Sequence, residues 1–320
     1  MVNNDDISMK FLNKIYHKFD NADFFRFKLA FSLLTSTPIE IANIHSTEYN
    51  IGLQPYEICF LKLISNISNG SFFKINETGT SLKFIPGTIT NNNGECLTFE
   101  ADVSRNISYY LEGIFLISLF GKEKLNLNIS GVTNNLFDIS MDSFKVVIMS
   151  LLDKIVFGDT GNKIEIKQRC FYPNNSGEVS VVFPIIRFIP SLDLTSIGKI
   201  KKIGGHCFTN NCSQFSNRII DKTRVTFNKL LNEVWIDKNT NINKGTDPGF
   251  SLSLWAQTTE NYSFSYDLSY TPLNNSEENK ILKRNISKNG INLEELSDPE
   301  ILSDRICEKL LENILNVSII

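Results

Sequence analysis

Apolar and polar positions follow two rhythms along this chain, and the order in which the rhythms change outlines a fold. FKLAFSLL at 27–34 is apolar at nearly every position and reads as a helix, and PIEIANI at 38–44 reads as a strand. PYEICFLKLISNIS at 55–68 repeats its apolar residues every three and four positions, which predicts a second helix. SFFKINETGTSLKFIPGTI at 71–89 reads as two strands joined by a glycine-containing turn.

The same order returns about 85 residues later. ISYYLEGIFLISLF (107–120) is the helix, LNLNISGV (125–132) the strand and SMDSFKVVIMSLLDKIV (140–156) the second helix. NKIEIKQRCFYPNNSGEVSVVFPII (162–186) supplies two closing strands, and CLTFEAD (96–102) is suited to pair in the same sheet. Order and spacing agree although few residues are identical. A βαβαββ unit cannot bury its helices alone, so the pattern predicts stacked modules of α/β (α+β) class over 1–187.

At Pro190 the rhythm changes. GKIKKIGGHCF (198–208) reads as a strand, and SQFSNRIIDKTRVTFNKLLN (213–232) as a long amphipathic helix with Ser213 as its N-cap. EVWID (233–237) is a further strand and GFSLSLWAQTTENYSFSYDLSY (249–270) an alternating hairpin. Together they predict a small inserted α+β domain over 188–285. DPEILSDRICEKLLENIL (298–315), with Pro299 in its first turn, reads as the opening helix of a third module at 286–320, incomplete at Ile320.

Composition narrows the classes of function. A formal charge of −3 and a pI near 5.8 exclude a globally basic nucleic-acid binder but leave room for a local basic patch. The polar start MVNNDDISMK predicts no signal peptide, and the longest apolar stretch, GIFLISLF at 113–120, is too short to cross a bilayer. Six cysteines without a CxxC pair read as reduced intracellular thiols. Cys207 and Cys212, with His206 adjacent, would need further ligands nearby to hold zinc, so no metal is expected. Without a secretory signal the Asn-x-Ser/Thr triplets reflect asparagine abundance.

FFRFKLAFSLLTSTPIEI, NETGTSLKFIPG, SGVTNNLFDISMDSFKV, SGEVSVVFP, GKIKKIGGHCF, SNRIIDKTR and DPGFSLSLWAQTT together resemble the RNA 3′-terminal phosphate cyclase superfamily, in particular its nucleolar cyclase-like members. The resemblance runs from about Phe24 to the last helix. It implies three related modules around a pseudo-threefold axis with a smaller inserted domain. It also implies a nuclear, nucleolar role in maturing small-subunit ribosomal RNA, in complex with a large ribosome-biogenesis GTPase. The particle implied contains pre-rRNA and a guide small nucleolar RNA; no membrane is involved.

Two departures from the cyclase pattern point away from catalysis. The cyclases precede their first helix with a glycine-rich phosphate turn ending in an arginine. Here Asp20, Asn21 and Ala22 occupy that turn, two phenylalanines follow, and Arg26 alone persists. Phe24 and Phe25 are expected to be core. The cyclase nucleophile is a histidine beyond the helix matching 298–315; His17, His45 and His206 lie in no matching context. The resemblance therefore implies a non-catalytic assembly factor with no catalytic residue, cofactor or metal, against the alternatives of an active ATP-dependent cyclase or a pre-rRNA endonuclease.

Arg26 and Arg105, at equivalent module positions, could line an anion or RNA cleft with Thr133, Asn134 and Asp142, although a carboxylate opening a helix at 142 also simply offsets the helix dipole. A second candidate is the basic surface of the inserted domain. Lys199, Lys201 and Lys202 alternate on a strand, and Arg218, Lys222 and Lys229 share a helix face with Arg224 beside them. KILKRNISK at 280–288 lies close by in sequence. Such contacts would position RNA through its phosphates rather than read bases.

Overall fold

The structure, a computed structural model, describes residues 11, 14–156, 161–192, 195–230, 234–241, 248–272 and 292–318. The basic run at 280–288 lies outside the described residues.

The first module is β1 (His17–Asp20), α1 (Phe25–Thr35), β2 (Ile39–Ala42), α2 (Pro55–Ile67), β4 (Phe72–Ile75) and β5 (Leu82–Ile85). A small ribbon of β3 (Ser68–Asn69) and β6 (Thr88–Ile89) flanks it. The second is β7 (Cys96–Glu100), α3 (Ile107–Ser118), β8 (Leu125–Gly131), α4 (Met141–Ile155), β9 (Lys163–Gln168) and β10 (Gly177–Phe183). Their sheets run β1-β2-β5-β4 and β7-β8-β10-β9, so each module orders its strands first, second, fourth, third. The repeat read from spacing is a repeat of topology.

Then come β11 (Ile200–Asn210), α5 (Gln214–Phe227), β12 (Val234–Asn241), β13 (Gly249–Thr258), β14 (Ser263–Tyr270), a short α6 (Leu293–Leu296) and α7 (Pro299–Ser318). Their sheet runs β12-β11-β13-β14, a different order from the modules. α5 is the crossover between the parallel strands β11 and β12, and antiparallel β13 and β14 close the other side.

By packing the chain divides into two compact units. One comprises Met1–Asp102, Tyr110–Asn128 and Val181–Arg187; the other comprises Val103–Tyr109, Ile129–Ser180 and Phe188–Ile320. This division differs from the expected boundaries at 187 and 285, because much of the second module falls in the unit that holds the third sheet.

In the first unit Leu29, Ile41, Phe60, Leu63, Ile64 and Phe84 are fully buried or nearly so. Gly113 sets how closely its helices approach. A Cβ there would stand 2.5 Å from the Phe60 ring and 3.3 Å from Arg26 Cβ. The opening β1 carries no apolar signal because all four of its residues are exposed; parallel pairing to β2 defines it.

In the second unit the third sheet has two distinct faces. Ile203 and Cys207, Ile236, Phe250, Leu252, Leu254 and Ala256, and Leu268 form one core with Ile219, Ile220 and Phe227 of α5. Leu302, Ile306, Cys307 and Leu310 of α7 complete that core, so the helix expected to open a third module packs on α5, β13 and β14. Strand alternation sends the intervening residues to the opposite face: Lys202, Gly204, His206, Trp235, Ser253, Trp255 and Asp267. β11 stays paired on both sides through Gly204 and Gly205. Its register shifts between Ile200 and Lys202, which leaves Lys201 and Lys202 both exposed where alternation was expected.

Candidate functional site

The turn before α1 keeps a tight shape without glycine. Asn21 and Phe24 take left-handed backbone angles, φ 65° and 55°. The Asn21 side chain accepts from Asp23 N at 2.9 Å, an Asx turn that compensates part of the cost. Phe25 N donates to Ala22 O at 3.1 Å and Asn21 N to Ala42 O at 2.9 Å, so three N–H groups of the turn are bonded within the chain. Asp20 Oδ1 accepts from Asn43 Nδ2 at 2.7 Å. Phe25 is buried as expected, but Phe24 is 77% exposed: its left-handed angle swings the ring outward, which corrects the core assignment.

Arg26, in the same unit, donates from Nη1 to Glu112 Oε2 at 2.7 Å, and its guanidinium lies 5.6 Å from the Phe27 ring centroid. Nearby His45 bonds Glu48 through Nδ1 at 2.9 Å and Glu57 through Nε2 at 3.0 Å. Burial works against its charged form, yet the two carboxylates together raise its pKa. Glu57 also closes the capping box of α2 by accepting from Gln54 N.

The other candidate cleft residues, Arg105, Thr133, Asn134 and Asp142, fall in the second unit. Arg105 pairs with Asp138 at 2.8 Å and stacks over Tyr109 at 4.3 Å. Asp138 also accepts from Asn106 N at 3.0 Å. Thr133 and Asn134 are buried and spent on the fold: Thr133 Oγ1 donates toward Asn134 Oδ1 and Cys170 O, and Asn134 Nδ2 donates to Ser251 Oγ at 3.2 Å. Both arginines singled out from the sequence thus carry a carboxylate within 3 Å, which offsets the charge an anion would meet.

Asp142 sits in the first turn of α4, whose N-cap Ser140 accepts from Ser143 N. The dipole reading is therefore sound, but incomplete. Arg169 grips Asp142 through two hydrogen bonds of 2.6 and 3.0 Å, and His206 Nε2 stands 3.8 Å from the same carboxylate. On its other side His206 Nδ1 is 3.5 Å from Asp237. Burial lowers the His206 pKa, helped by Arg169 and Lys145 and opposed by Asp142 and Asp237. Asp267, which accepts from Ser140 N at 2.9 Å, is pushed up to about 6 by burial. Asp138, Arg169 and Asp267 escaped the sequence reading; the acidic residues flanking Ser140 were the available signal.

The basic surface divides. Arg218 bonds Glu300 at 2.8 and 3.1 Å and Lys222 pairs with Asp304 at 3.1 Å, so the basic face of α5 is matched by acidic residues at the start of α7. Arg224 is exposed in the last turn of α5, and Lys201 and Lys202 on β11 and Lys199 just before it are exposed. Cys207 and Cys212 are both buried, and burial pushes the Cys207 thiol up to about 12, away from the thiolate a metal requires. Among the described residues no cluster of three or more metal-ligating side chains occurs, and no helix is long and apolar enough to cross a membrane.

Comparison with known families locates this architecture. Residues 17–246 match the model of RNA 3′-terminal phosphate cyclase, and 195–315 match that of the cyclase insert domain. The human RNA 3′-terminal phosphate cyclase-like protein is 36% identical over 255 residues, covering 78% of this chain and 67% of the relative. A cyclase-like protein of Dictyostelium discoideum is 32% identical over 304 residues, 93% of this chain and 78% of the relative. An rRNA processing protein of Schizosaccharomyces pombe is 29% identical over 254 residues, 78% and 69% respectively.

Proposed function

The chain belongs to the RNA 3′-terminal phosphate cyclase family, to its cyclase-like proteins, and from that premise we propose that it is a non-catalytic assembly factor of small-subunit ribosome biogenesis. It acts in the nucleolus on pre-rRNA processing towards 18S rRNA, together with a ribosome-biogenesis GTPase and a particle holding pre-rRNA and a guide small nucleolar RNA. The name of the S. pombe relative, an rRNA processing protein, supports the process.

The turn at Asp20–Phe24 carries the argument against nucleotide chemistry. A phosphate nest requires free N–H groups converging on an anion, usually on glycines. Here the donors of Asn21, Asp23 and Phe25 are bonded within the chain, and the Asp20 and Asp23 carboxylates repel phosphate. Arg26 is committed to Glu112. A loop of this kind keeps the shape of the first module while offering triphosphate little.

Incubation of the purified chain with α-labelled ATP tests the reading. No label is retained if the proposal holds, whereas a stable protein–adenylate makes the chain an active cyclase and overturns it. Depletion in cells is expected to accumulate precursors of 18S rRNA; unchanged precursor levels also overturn it.

A further inference from the structure

On the face of the third sheet opposite α5 and α7, three aromatic rings and a lysine ladder come together. Gly204 pairs with Trp235 on one side and Trp255 on the other, and His206 pairs with Asp237 in the next outward-facing row. The bare glycine leaves room for the indole of Trp255, which a Cβ at 204 would meet at 2.8 Å. Trp255 is accordingly buried, but Trp235, on the edge strand β12, is 49% exposed. The Lys202 ammonium lies 5.8 Å from the Trp235 ring centroid, and the His206 ring meets that indole edge-on at 6.2 Å.

Positive charge on this side of the sheet gathers at the start of β11 and beside the β13–β14 turn. Lys199, Lys201 and Lys202 are exposed in succession, the last two through the register shift described above. Lys154 of α4 reaches the β13–β14 turn, its ammonium 3.9 Å from the Tyr262 ring centroid and bonded to Glu260 O. Of the carboxylates on this side, Asp142 is bonded by Arg169 and Asp267 accepts from Ser140 N, while Asp237 is turned to His206; Glu260 stands at the turn beside Gly198.

We propose that this surface binds unpaired RNA, with a nucleobase stacked on Trp235 and the flanking phosphates held by Lys199, Lys201 and Lys202. Stacking on an exposed aromatic ring beside a basic track is how single strands are held without regard to sequence, because every base offers a flat face. An acidic peptide would satisfy the lysines but leave the indole without a flat partner. The biological identity of the strand, a pre-rRNA, rests on the function proposed above; the chemistry rests on the surface.

The chain has two tryptophans, and only Trp235 is substantially exposed, so intrinsic fluorescence reports on the site directly. A decauridylate should quench emission, and its affinity should fall steeply with salt. In anisotropy titrations of a labelled decauridylate, a signal that does not depend on the tryptophan, Trp235→Ala should weaken binding about ten-fold or more, as loss of one stacked base does elsewhere, while Trp235→Phe keeps most of the affinity. Replacing the three lysines by alanine should lower the salt dependence. Circular dichroism of each variant checks that it is folded. Equal affinity of wild type and Trp235→Ala for decauridylate, or no binding by wild type, overturns the inference. So does a decaglutamate peptide that competes as well as RNA, which would make this a protein-docking surface. None of those results bears on the adenylate test, so the two proposals fail separately.

Discussion

Arg169→Met isolates the buried charge cluster of the second unit. Arg169 and Asp142 are 15% and 3% exposed at their side chains and share two short hydrogen bonds. Among the described residues, removing the guanidinium leaves the Asp142 carboxylate with His206, at 3.8 Å, as its remaining ion-pair partner. Stranding one member of a buried pair costs about 3–5 kcal/mol, and that is the loss expected at pH 8, where His206 is neutral. The variant also changes its pH dependence. Burial is the main cause that lowers the His206 pKa and it persists, but with Arg169 gone one further lowering charge disappears while Asp142, which raises it, remains. A folded pKa below the unfolded value near 6.5 costs stability as pH falls through that value, and the cost shrinks when the depression is relieved. The deficit of the variant relative to wild type should therefore be smaller at pH 5.5 than at pH 8. Urea unfolding followed by circular dichroism at pH 5.5 and 8 measures both effects. The double variant Arg169→Met with Asp142→Asn removes the stranded charge and should recover part of the loss. A loss below about 1 kcal/mol at both pH values, or a double variant no better than the single one, would refute the reasoning.

Asp267→Asn should stabilise the protein at pH 7. The folded carboxyl titrates near 6, above its unfolded value, so wild type loses stability as pH rises from about 4 to 6, and the amide abolishes that slope. The gain is on the order of 1–2 kcal/mol, less than the full shift because the residue is partly exposed; thermal melts at pH 4.5 and 7 check it. Arg218→Glu should cost about 1 kcal/mol by facing Glu300 and Asp298 with a like charge, and Glu300→Arg in the same chain should restore it, read from paired urea titrations.

Element order was legible in the sequence because amphipathic periodicity is a local property. FKLAFSLL, PYEICFLKLISNIS and the alternating 249–270 hairpin each announce their own geometry, and two modules of equal order announce a repeat. The glycine-free phosphate turn was legible for the same reason, since side-chain charge and the want of a glycine are written in five consecutive residues. What the sequence hid is what depends on partners far along the chain. Ser251, Ser253 and Ser269 alternate like solvent-facing residues, yet they are buried. Ser253 Oγ lies 2.8 Å from Ser140 Oγ, at the start of α4, a contact spanning 113 positions. The basic stripe of α5 looked free because its acidic partners, Glu300 and Asp304, follow some 80 residues later. Trp235 drew no notice as one aromatic in a short strand; the edge position of β12 leaves the ring half exposed. Periodicity fixes which face of an element is apolar. Whether the polar face meets water, a carboxylate or another helix is decided by packing, because burial and pairing energies depend on separations in space that local spacing does not encode.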